Sequence, residues 1–390
     1  MVSFYPDRIV SVRVANIIEE GKLGGPQVRI CAIATALVGL VDTTVIMPKE
    51  NSETFQQRCD TCGVAYITMP ITRVTKDWRV AVRYVFFSLF EVLHLAWVLK
   101  KNRFDLVHVS GGSWQFKGVL AAKLAGKKVL WHLNDTSMPR FIRRLFSTLS
   151  PLADAIIYAS VRSQNYYKPL VNCNKQDFLI PAPVDTDKFN PSREYSGEEQ
   201  LIQRWQGKLV IGTVANINPV KGLETLIHAA ALTSEKNFNV QFVVIGSIYP
   251  TQQQYYNSLI SLCEQLHIKN IEFVGSRSDV RPLLKRFDLY VCSSNAESSP
   301  ISVWESMSMA KPIISTDVGD VTLYVKDGVN GFIVNIGDSE ALAERMGHLI
   351  AEESLRKDFG SRSRDVAVQE LELSRCAERH LEAYNAVFEQ

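Results

Sequence analysis

The stretch Asp288-Leu-Tyr-Val-Cys-Ser-Ser-Asn-Ala-Glu297-Ser-Ser-Pro300-Ile-Ser-Val-Trp-Glu305 reads as a strand, a loop and the start of a helix. The apolar run ends near Cys292, and a helix is predicted to begin at Pro300 with Ser299 as its N-cap. Proline suits the first helical position because the N–H that it lacks has no partner there.

This helix start places two kinds of ligand-binding group together. The amides of Ser302 and Val303 would face outward at the positive end of the helix, where they can bind an anion. Glu297 before the helix and Glu305 in its second turn could bind the hydroxyl groups of the same ligand. An ordinary capped helix start explains the segment equally well when it is taken alone.

The alternation of short apolar runs with longer helical stretches continues on both sides and predicts an α/β fold with parallel sheets. Strands are predicted at 9–15, 43–47, 105–109, 128–133, 155–159, 178–180, 209–214, 240–245, 271–274, 289–292 and 312–315. Helices are predicted at 27–38, 115–124, 223–232, 253–266, 339–351 and 371–388.

With 390 residues, the chain suits two domains. We predict a Rossmann-like domain over 1–190, a linker over 191–207 and a second Rossmann-like domain over 208–370. A C-terminal helix over 371–390 is expected to return to the first domain. Two such domains are expected to face a central cleft, with ligands at the carboxyl ends of the strands.

Two further turns follow predicted strands. Lys221-Gly222 ends the segment that starts at Val214, and a lysine at such a turn can reach a diphosphate as a point charge. Gly24-Gly25 precedes Pro26, and glycine lets the backbone approach a phosphate closely. Each turn is a weak signal alone. The second is not the GxGxxG motif of nicotinamide-binding proteins.

Charge is divided unevenly between the halves. Residues 1–190 carry 24 Lys and Arg against 15 Asp and Glu, whereas residues 191–390 carry 19 against 26. The overall net charge of +2 excludes a nucleic-acid binder that relies on bulk charge, so no nucleic-acid partner is expected.

The remaining sequence features predict a cytoplasmic protein without a structural metal. Seven scattered cysteines suit a reducing compartment, and Cys59-Asp-Thr-Cys62 is interpreted as a loop or strand entry. The N-terminus lacks the apolar stretch of a secretory signal, and charges interrupt the apolar run 81–99. Asp185-Thr-Asp187 is interpreted as turn and capping chemistry.

Taken together, these motifs resemble the retaining glycosyltransferases of family 4, which have the two-domain GT-B fold. Glu297 and Glu305 match the E-x7-E motif of that family, Lys221-Gly222 matches its Lys-Gly, and Gly24-Gly25 matches its N-terminal diglycine loop. Secondary matches lie at 180–189 and 316–331. The resemblance covers nearly the whole chain.

The resemblance implies a role for each matched residue. Glu305 would bind the ribose of a nucleotide-sugar donor, and Glu297 would bind the donor sugar. With Lys221, the amides near the helix start would hold the diphosphate. The residues of that helix start are Ser298, Ser299, Pro300, Ile301 and Ser302, and the loop with Gly275 and Arg277 would frame the base.

Two positions depart from the family pattern. Asn216 stands where many members have a second diphosphate-binding arginine, for which Arg277 is one substitute. Asn134 stands where the family tends to have histidine, and His132 lies two residues earlier. Asn134 is expected to line the donor-sugar site and is grouped with Glu297 and Lys221 as a catalytic candidate. His132 suits a ligand contact or a packed histidine equally well, and His108 is interpreted as packing.

The basic half has its own interpretation. Lys76, Arg79 and Arg83 precede an aromatic run that ends at Phe90, and a second basic and aromatic stretch covers 139–146. Two interpretations explain these segments equally well. The segments are either helices with solvated basic faces or a surface that rests on anionic lipid or receives a lipid-linked acceptor.

The predicted function is therefore transfer of a hexose-type sugar from a nucleotide-diphospho-sugar, with UDP as the default nucleotide. The acceptor would be a glycan or a lipid-linked intermediate, no cofactor or essential metal is expected, and the protein could attach peripherally to the inner face of a membrane. The alternatives are a sugar-nucleotide epimerase of the same architecture and a binding protein that has lost turnover.

Overall fold

The structure is a computed structural model that describes residues 12–73, 78–136, 138–171, 175–236 and 239–389, without the side chains of 78–83 and 85. The chain divides into two compact units. The first contains Met1–Ala182 together with Leu373–Gln390, and the second contains Pro183–Glu372. The predicted strand at 9–15 begins outside the described residues.

A parallel sheet of seven described strands forms the centre of the first unit, in the order β3-β2-β1-β4-β5-β6-β7. Its strands are β1 Val12–Ile17, β2 Val41–Pro48, β3 Ala65–Met69, β4 Leu106–Val109, β5 Lys128–Leu133, β6 Ala155–Tyr158 and β7 Gln176–Leu179. The connecting helices are α1 Gly25–Ala36, α2 Glu53–Cys62, α3 Trp78–Lys101, α4 Phe116–Leu124, α5 Arg140–Leu149 and α6 Val161–Tyr167.

The central strands of this sheet are buried on both faces, as their apolar sequences require. Val107, Val129 and Trp131 face one hydrophobic core, whereas Leu106 and Leu130 face another on the opposite side of the sheet. The strand order reverses between β1 and β4, which makes this edge the topological switch point of the first unit.

The second unit repeats the plan with a parallel sheet of six described strands, in the order β10-β9-β8-β11-β12-β13. Its strands are β8 Leu209–Val214, β9 Val240–Ile245, β10 Ile271–Gly275, β11 Leu289–Cys292, β12 Ile313–Thr316 and β13 Gly331–Val334. Its helices are α7 Glu199–Gln203, α8 Leu223–Ser234, α9 Gln253–Gln265, α10 Arg281–Arg286, α11 Ile301–Ser308, α12 Val321–Tyr324, α13 Ser339–Ala351 and α14 Glu353–Glu370. The switch point lies between β8 and β11.

The last helix, α15 Leu373–Phe388, belongs to the first unit. Its buried face, which includes Cys376, Tyr384 and Val387, packs in one core cluster with Ile33 of α1 and Leu130 of β5.

The boundary between the units differs from the predicted one. It falls after Ala182 rather than after 190, because the next residues bond within the second unit. Val184 pairs with Glu372, and the carbonyl of Phe189 accepts a hydrogen bond of 2.6 Å from Ser308 Oγ. The predicted linker 191–207 is part of the second unit as well, since it contains α7 and the fully buried Trp205.

Helices α2, α6, α10, α12 and α14 and strands β3 and β13 were not predicted. Helix α2 buries only Phe55 and Cys59, so its sequence shows little of the apolar periodicity that indicates a helix. Cys59-Asp-Thr-Cys62 is the end of this helix, which corrects its interpretation as a loop or strand entry. Strand β3 is an edge strand that is mostly half-buried.

Two helical glycines differ in the space around them and therefore predict opposite effects of alanine. A Cβ at Gly360 in α14 would lie 2.2 Å from the carbonyl oxygen of Ala310, whereas a Cβ at Gly347 in α13 meets nothing closer than Lys236 Nζ at 3.7 Å. Gly360→Ala should destabilise the protein by about 1–3 kcal/mol through overpacking. Gly347→Ala should stabilise it by up to about 1 kcal/mol through helix propensity.

Thermal unfolding of the two variants against the parent protein measures this difference. Equal midpoints for the two variants would contradict the packing of α14 against the turn that contains Ala310.

Candidate active site

The candidate site of the second unit lies where β8 and β11 end side by side. After β8 the chain forms a short 3₁₀ turn, Pro219–Lys221, and after β11 it forms the loop that leads to α11. Because the two strands are parallel neighbours at the switch point, the loops that follow them meet.

Lys221 and Glu297 form an ion pair across these two loops. Lys221 Nζ lies 2.6 Å from Glu297 Oε1, which also accepts a hydrogen bond of 2.8 Å from Ser294 Oγ. The side chains are 27% and 15% exposed, so both remain within reach of a ligand. Burial alone would lower the pKa of Lys221, but the Glu297 carboxylate outweighs burial and holds the pKa above its ordinary value. Lys221 is therefore charged at neutral pH.

The backbone of the lysine turn is closely packed against the glutamate loop. Gly222 has φ of +56°, and a Cβ there would lie 2.1 Å from the carbonyl oxygen of Ser293. The amide of Asn295 donates to the carbonyl of Val220 at 2.7 Å, and Ser293 Oγ donates to the carbonyl of Lys221 at 3.1 Å. Only glycine fits position 222, because both the positive φ and the close approach exclude a side chain.

The start of α11 differs in detail from the prediction. Pro300 is the N-cap and Ile301 the first helical residue, whereas Ser299 Oγ accepts a hydrogen bond of 3.1 Å from Trp304 Nε1. The amide of Val303 donates to the carbonyl of Pro300 at 3.0 Å and is not directed outward as predicted. The amides of Ile301 and Ser302 precede this first helical hydrogen bond.

The loop before α11 is supported from the neighbouring strand. The amide of Asp320 donates to the carbonyl of Ser298 at 3.0 Å, and a Cβ at Gly319 would lie 2.2 Å from that same carbonyl oxygen. Glu305 lies half-buried in α11. Sequence reasoning missed the contribution of Ser294, because a serine in a loop carries no signal of its own.

Asn216, which stands where many family members have arginine, and Asn218, which follows it, both have structural partners. Asn218 Oδ1 accepts a hydrogen bond of 3.0 Å from the amide of Val220 and so caps the 3₁₀ turn. Asn216 Oδ1 accepts one of 3.4 Å from the amide of Ser247.

Arg277, the predicted substitute cation, pairs elsewhere. Its Nε lies 2.6 Å from Glu198 Oε1, and its Nη1 donates to the carbonyl of Ser276 at 3.0 Å. It follows Gly275 at the end of β10, two strands away from β8. Arg277 therefore pairs with Glu198, two strands away from the turn that holds Lys221. A cavity of about 600 Å³ is lined there by Glu198, Glu199, Gln200, Leu201, Arg204 and Arg277.

The diglycine of the first unit forms the start of α1. Gly24 is the N-cap and Gly25 the first helical residue, so the helix begins two residues earlier than predicted. The carbonyl of Gly24 accepts the first hydrogen bond of the helix, from the amide of Val28 at 3.0 Å.

The carboxyl end of β5 holds a polar cluster. His132 is fully buried, and its two ring nitrogens contact Arg29 Nη1 at 2.6 Å and His108 Nε2 at 3.2 Å. Its partners in the structure are those of a packed histidine, the second of its two interpretations. Asn134 is half-buried, and its Oδ1 accepts a hydrogen bond of 2.6 Å from Arg29. Sequence reasoning missed Arg29, which had no recognised motif around it.

Other candidates from the sequence have ordinary local roles. Asp185 Oδ1 accepts a hydrogen bond of 2.8 Å from the amide of Lys188, which is turn chemistry as predicted. Cys59 Sγ lies 3.8 Å from Cys31 Sγ as a free thiol. Within the part of the chain that the structure describes, no group of three or more His, Cys, Asp or Glu side chains is arranged to hold a metal ion.

Comparison with known proteins places both units in known families. Residues 23–188 match the family model Glycosyltransferase Family 4, and residues 198–366 match Glycosyl transferases group 1. The chain is 22% identical, over 88% of its length and 90% of the relative's, to the N,N'-diacetylbacillosaminyl-diphospho-undecaprenol alpha-1,3-N-acetylgalactosaminyltransferase of Campylobacter jejuni. It is 23% identical, over 63% of its length and 66% of the relative's, to the UDP-Gal:alpha-D-GlcNAc-diphosphoundecaprenol alpha-1,3-galactosyltransferase of Escherichia coli.

A solved structure shares the fold along the whole length. The crystal structure of Anabaena Alr3699/HepE in complex with UDP-glucose superposes with a TM-score of 0.83 at 20% identity, over 96% of this chain and 99% of that one. One family model matches each half of the chain, and the expected GT-B fold is confirmed. The chain therefore belongs to the GT-B glycosyltransferases of the family 4 type.

Proposed function

We propose that this glycosyltransferase is a retaining, metal-independent hexosyltransferase that uses a UDP-sugar and a glycan or lipid-linked acceptor in the synthesis of a cell-envelope polysaccharide or glycoconjugate. The observation that carries the proposal is the Lys221–Glu297 pair, which holds a cation and a carboxylate together at the switch point of the second unit. A sugar diphosphate offers a matching pair of groups, an anion and neighbouring hydroxyls.

The chemistry of transfer explains why the site needs a fixed cation. When the bond between the anomeric carbon and the phosphate oxygen breaks, negative charge grows on the outer phosphate of the leaving UDP. A preorganised ammonium stabilises that charge without reorganising at the moment of reaction. Lys221 can take this role because Glu297 keeps it protonated and Gly222 fixes its turn.

The second group of the pair has a complementary role. When the phosphate replaces Glu297 as the partner of Lys221, Glu297 becomes available to accept hydrogen bonds from sugar hydroxyls. Ser294 stays hydrogen-bonded to Glu297. In this proposal the amides of Ile301 and Ser302, at the positive end of α11, assist Lys221.

The choice of donor and acceptor is supported by the relatives. The Anabaena protein was crystallised with UDP and with UDP-glucose, which supports UDP as the nucleotide. The names of the Campylobacter and Escherichia relatives specify diphospho-undecaprenol acceptors, which supports a lipid-linked acceptor.

A lipid-linked acceptor agrees with an apolar stripe on α3. Phe86, Phe90, Leu93 and Trp97 are 52–69% exposed and recur at helical spacing, whereas Val92, Leu95 and Leu99 on the other side of α3 pack into the core. On the inward side, Glu91 pairs with the buried Lys117. No helix in the described part of the chain is long and apolar enough to cross a membrane.

Basic side chains border this stripe along the sequence. Lys100, Lys101 and Arg103 are exposed at the end of α3, and Lys101 Nζ lies 4.6 Å from the centre of the Trp97 ring. Helix α5 exposes Phe141, at 73%, beside Arg140, Arg143 and Arg144. Lys76 and the side chains of Arg79 and Arg83 lie outside the described residues. Exposed aromatic residues combined with basic ones are typical of a surface that binds anionic lipid.

The first prediction from the proposed function concerns Lys221. Lys221→Ala should lower kcat/KM for UDP release from the donor about a hundredfold to a thousandfold, because it removes the charge that stabilises the leaving diphosphate. Nucleotide release with UDP-, GDP-, ADP- and CMP-sugars in the presence of candidate acceptors measures the effect.

Lys357→Ala is the matched control, since it removes a lysine from the exposed Lys357–Glu353 pair of α14. It should release nucleotide at the parent rate. Thermal stabilisation of the parent by a sugar nucleotide without any release would instead indicate a binding protein.

The second prediction concerns metal dependence. Transfer should persist in excess EDTA, because the ammonium of Lys221 supplies the positive charge that a divalent cation supplies in metal-dependent transferases. Loss of transfer in EDTA that added Mg²⁺ or Mn²⁺ restores would contradict metal independence.

The third prediction concerns the lipid surface. The protein should float with vesicles that contain anionic lipid, and binding should fall as salt rises because the basic residues are screened. Phe86→Ser/Phe90→Ser should abolish flotation, whereas Phe388→Ser, at an exposed position of α15, should not. Absence of binding at low salt, or equal binding by all three proteins, would contradict a role for the stripe.

A further inference from the structure

Arg29 is a buried cation whose hydrogen-bond partners are all neutral. The residue is 3% exposed in α1, and it donates to His132 Nε2, Asn134 Oδ1 and Ser110 Oγ. Among the residues that the structure describes, no carboxylate pairs with it. Burial lowers the pKa of Arg29 to about 9, which still leaves the guanidinium protonated at neutral pH. Burying a cation without a carboxylate partner lowers the stability of a protein. The way in which Arg29 orients the side chains around it is therefore informative.

The guanidinium determines the protonation of the histidines beside it. Arginine only donates hydrogen bonds, so His132 Nε2 must carry the lone pair and His132 Nδ1 the proton. That proton points to His108 Nε2 at 3.2 Å, and His108 Nδ1 in turn points to the hydroxyl of Tyr384 at 2.9 Å. Burial, aided by the charge of Arg29, lowers the pKa of both histidines well below the ordinary value, so both rings stay neutral.

The same reasoning determines how the Asn134 carboxamide is oriented. Its Oδ1 must face Arg29 Nη1, at 2.6 Å, because the opposite orientation would place two donors against each other. Its Nδ2 therefore points away from Arg29, and this atom is buried without a hydrogen-bond partner among the described residues. A buried donor without a partner is costly unless a ligand satisfies it.

We propose that Arg29 is a positioning residue that locks the Asn134 carboxamide, so that its NH₂ group donates a hydrogen bond to an oxygen atom of the bound sugar substrate. The inference rests on the proposed function, and it adds which partner donates the hydrogen bond between Asn134 and the substrate. Asn134 acts as a donor, and the substrate atom that it recognises is a hydroxyl or carboxylate oxygen that accepts. Arg29 acts only through Asn134 and does not touch the substrate.

The decisive variant is Asn134→Asp. The new carboxylate keeps the contact with Arg29 and strengthens it, but it presents an oxygen where the parent presents an N–H. We expect the thermal midpoint to stay the same or rise while kcat/KM for transfer falls about tenfold or more. Unchanged kcat/KM in this variant would overturn the proposal.

A double-mutant cycle tests whether Arg29 acts through Asn134. Arg29→Gln and Asn134→Ala should each lower kcat/KM, and the double variant should be no slower than Asn134→Ala alone. If the double variant instead lost kcat/KM by the product of the two single losses, Arg29 would act independently of Asn134. That result would overturn the positioning role. If Arg29→Gln fails to fold, Arg29→Lys takes its place in the same cycle.

Tyr384→Phe is the structural control. It removes the acceptor at the far end of the histidine chain, so it should lower the thermal midpoint while kcat/KM stays within about twofold of the parent. A purely structural role of the cluster would predict that all these variants lose kcat/KM in proportion to stability, which would also overturn the proposal.

The two levels of inference fail differently. If the parent protein releases no nucleotide from any sugar nucleotide, the proposed function fails and this inference fails with it. If the parent turns over and Lys221→Ala is impaired while Asn134→Asp is not, only the role assigned to Arg29 and Asn134 is wrong.

Discussion

The contact between the backbone of Gly222 and the carbonyl of Ser293 is the constraint on which the candidate site depends. A Cβ at position 222 would lie 2.1 Å from that carbonyl oxygen, so the turn after β8 can approach the loop after β11 only because the residue is glycine. This approach brings Lys221 Nζ to 2.6 Å from Glu297 Oε1. The ion pair is therefore a consequence of backbone packing at the switch point, and the charges are held by the fold rather than by each other alone.

The parts of the fold that sequence reasoning predicted best are those with the strongest apolar pattern. Strands β5, β8, β9 and β11 have the predicted bounds, because each is a short apolar run buried on both faces. Helix α14 was missed because its mean hydrophobic content is low and few of its residues are buried. The unit boundary was missed for another reason: pairing of Val184 with Glu372 joins residues that are far apart in sequence.

The residues of the candidate site likewise fall into those that the sequence could predict and those that it could not. Lys221, Gly222 and Glu297 could be found from sequence, because they follow predicted strands and match family motifs; the structure makes those strands neighbours at a switch point. Ser294 and Arg29 could not, since their roles depend on hydrogen bonds to Glu297 and Asn134 that arise only from tertiary packing. The predicted outward amide of Val303 was wrong because this amide donates to the carbonyl of Pro300, three residues earlier, in a tight first turn.

Lys221 in the second unit and Arg29 in the first are held in opposite ways, and the difference agrees with the role that we propose for each. Lys221 is about a quarter exposed and is paired with a carboxylate, so a diphosphate can compete for it and leave Glu297 available for hydroxyl groups. Arg29 is buried among neutral acceptors and has no partner that a ligand could displace. A cation that binds the substrate needs a partner that the substrate can displace. A cation that orients another side chain needs partners that stay bonded to it. The acidic balance of the second half of the sequence is therefore compatible with the anion binding that we propose, because the site presents a local cation in Lys221.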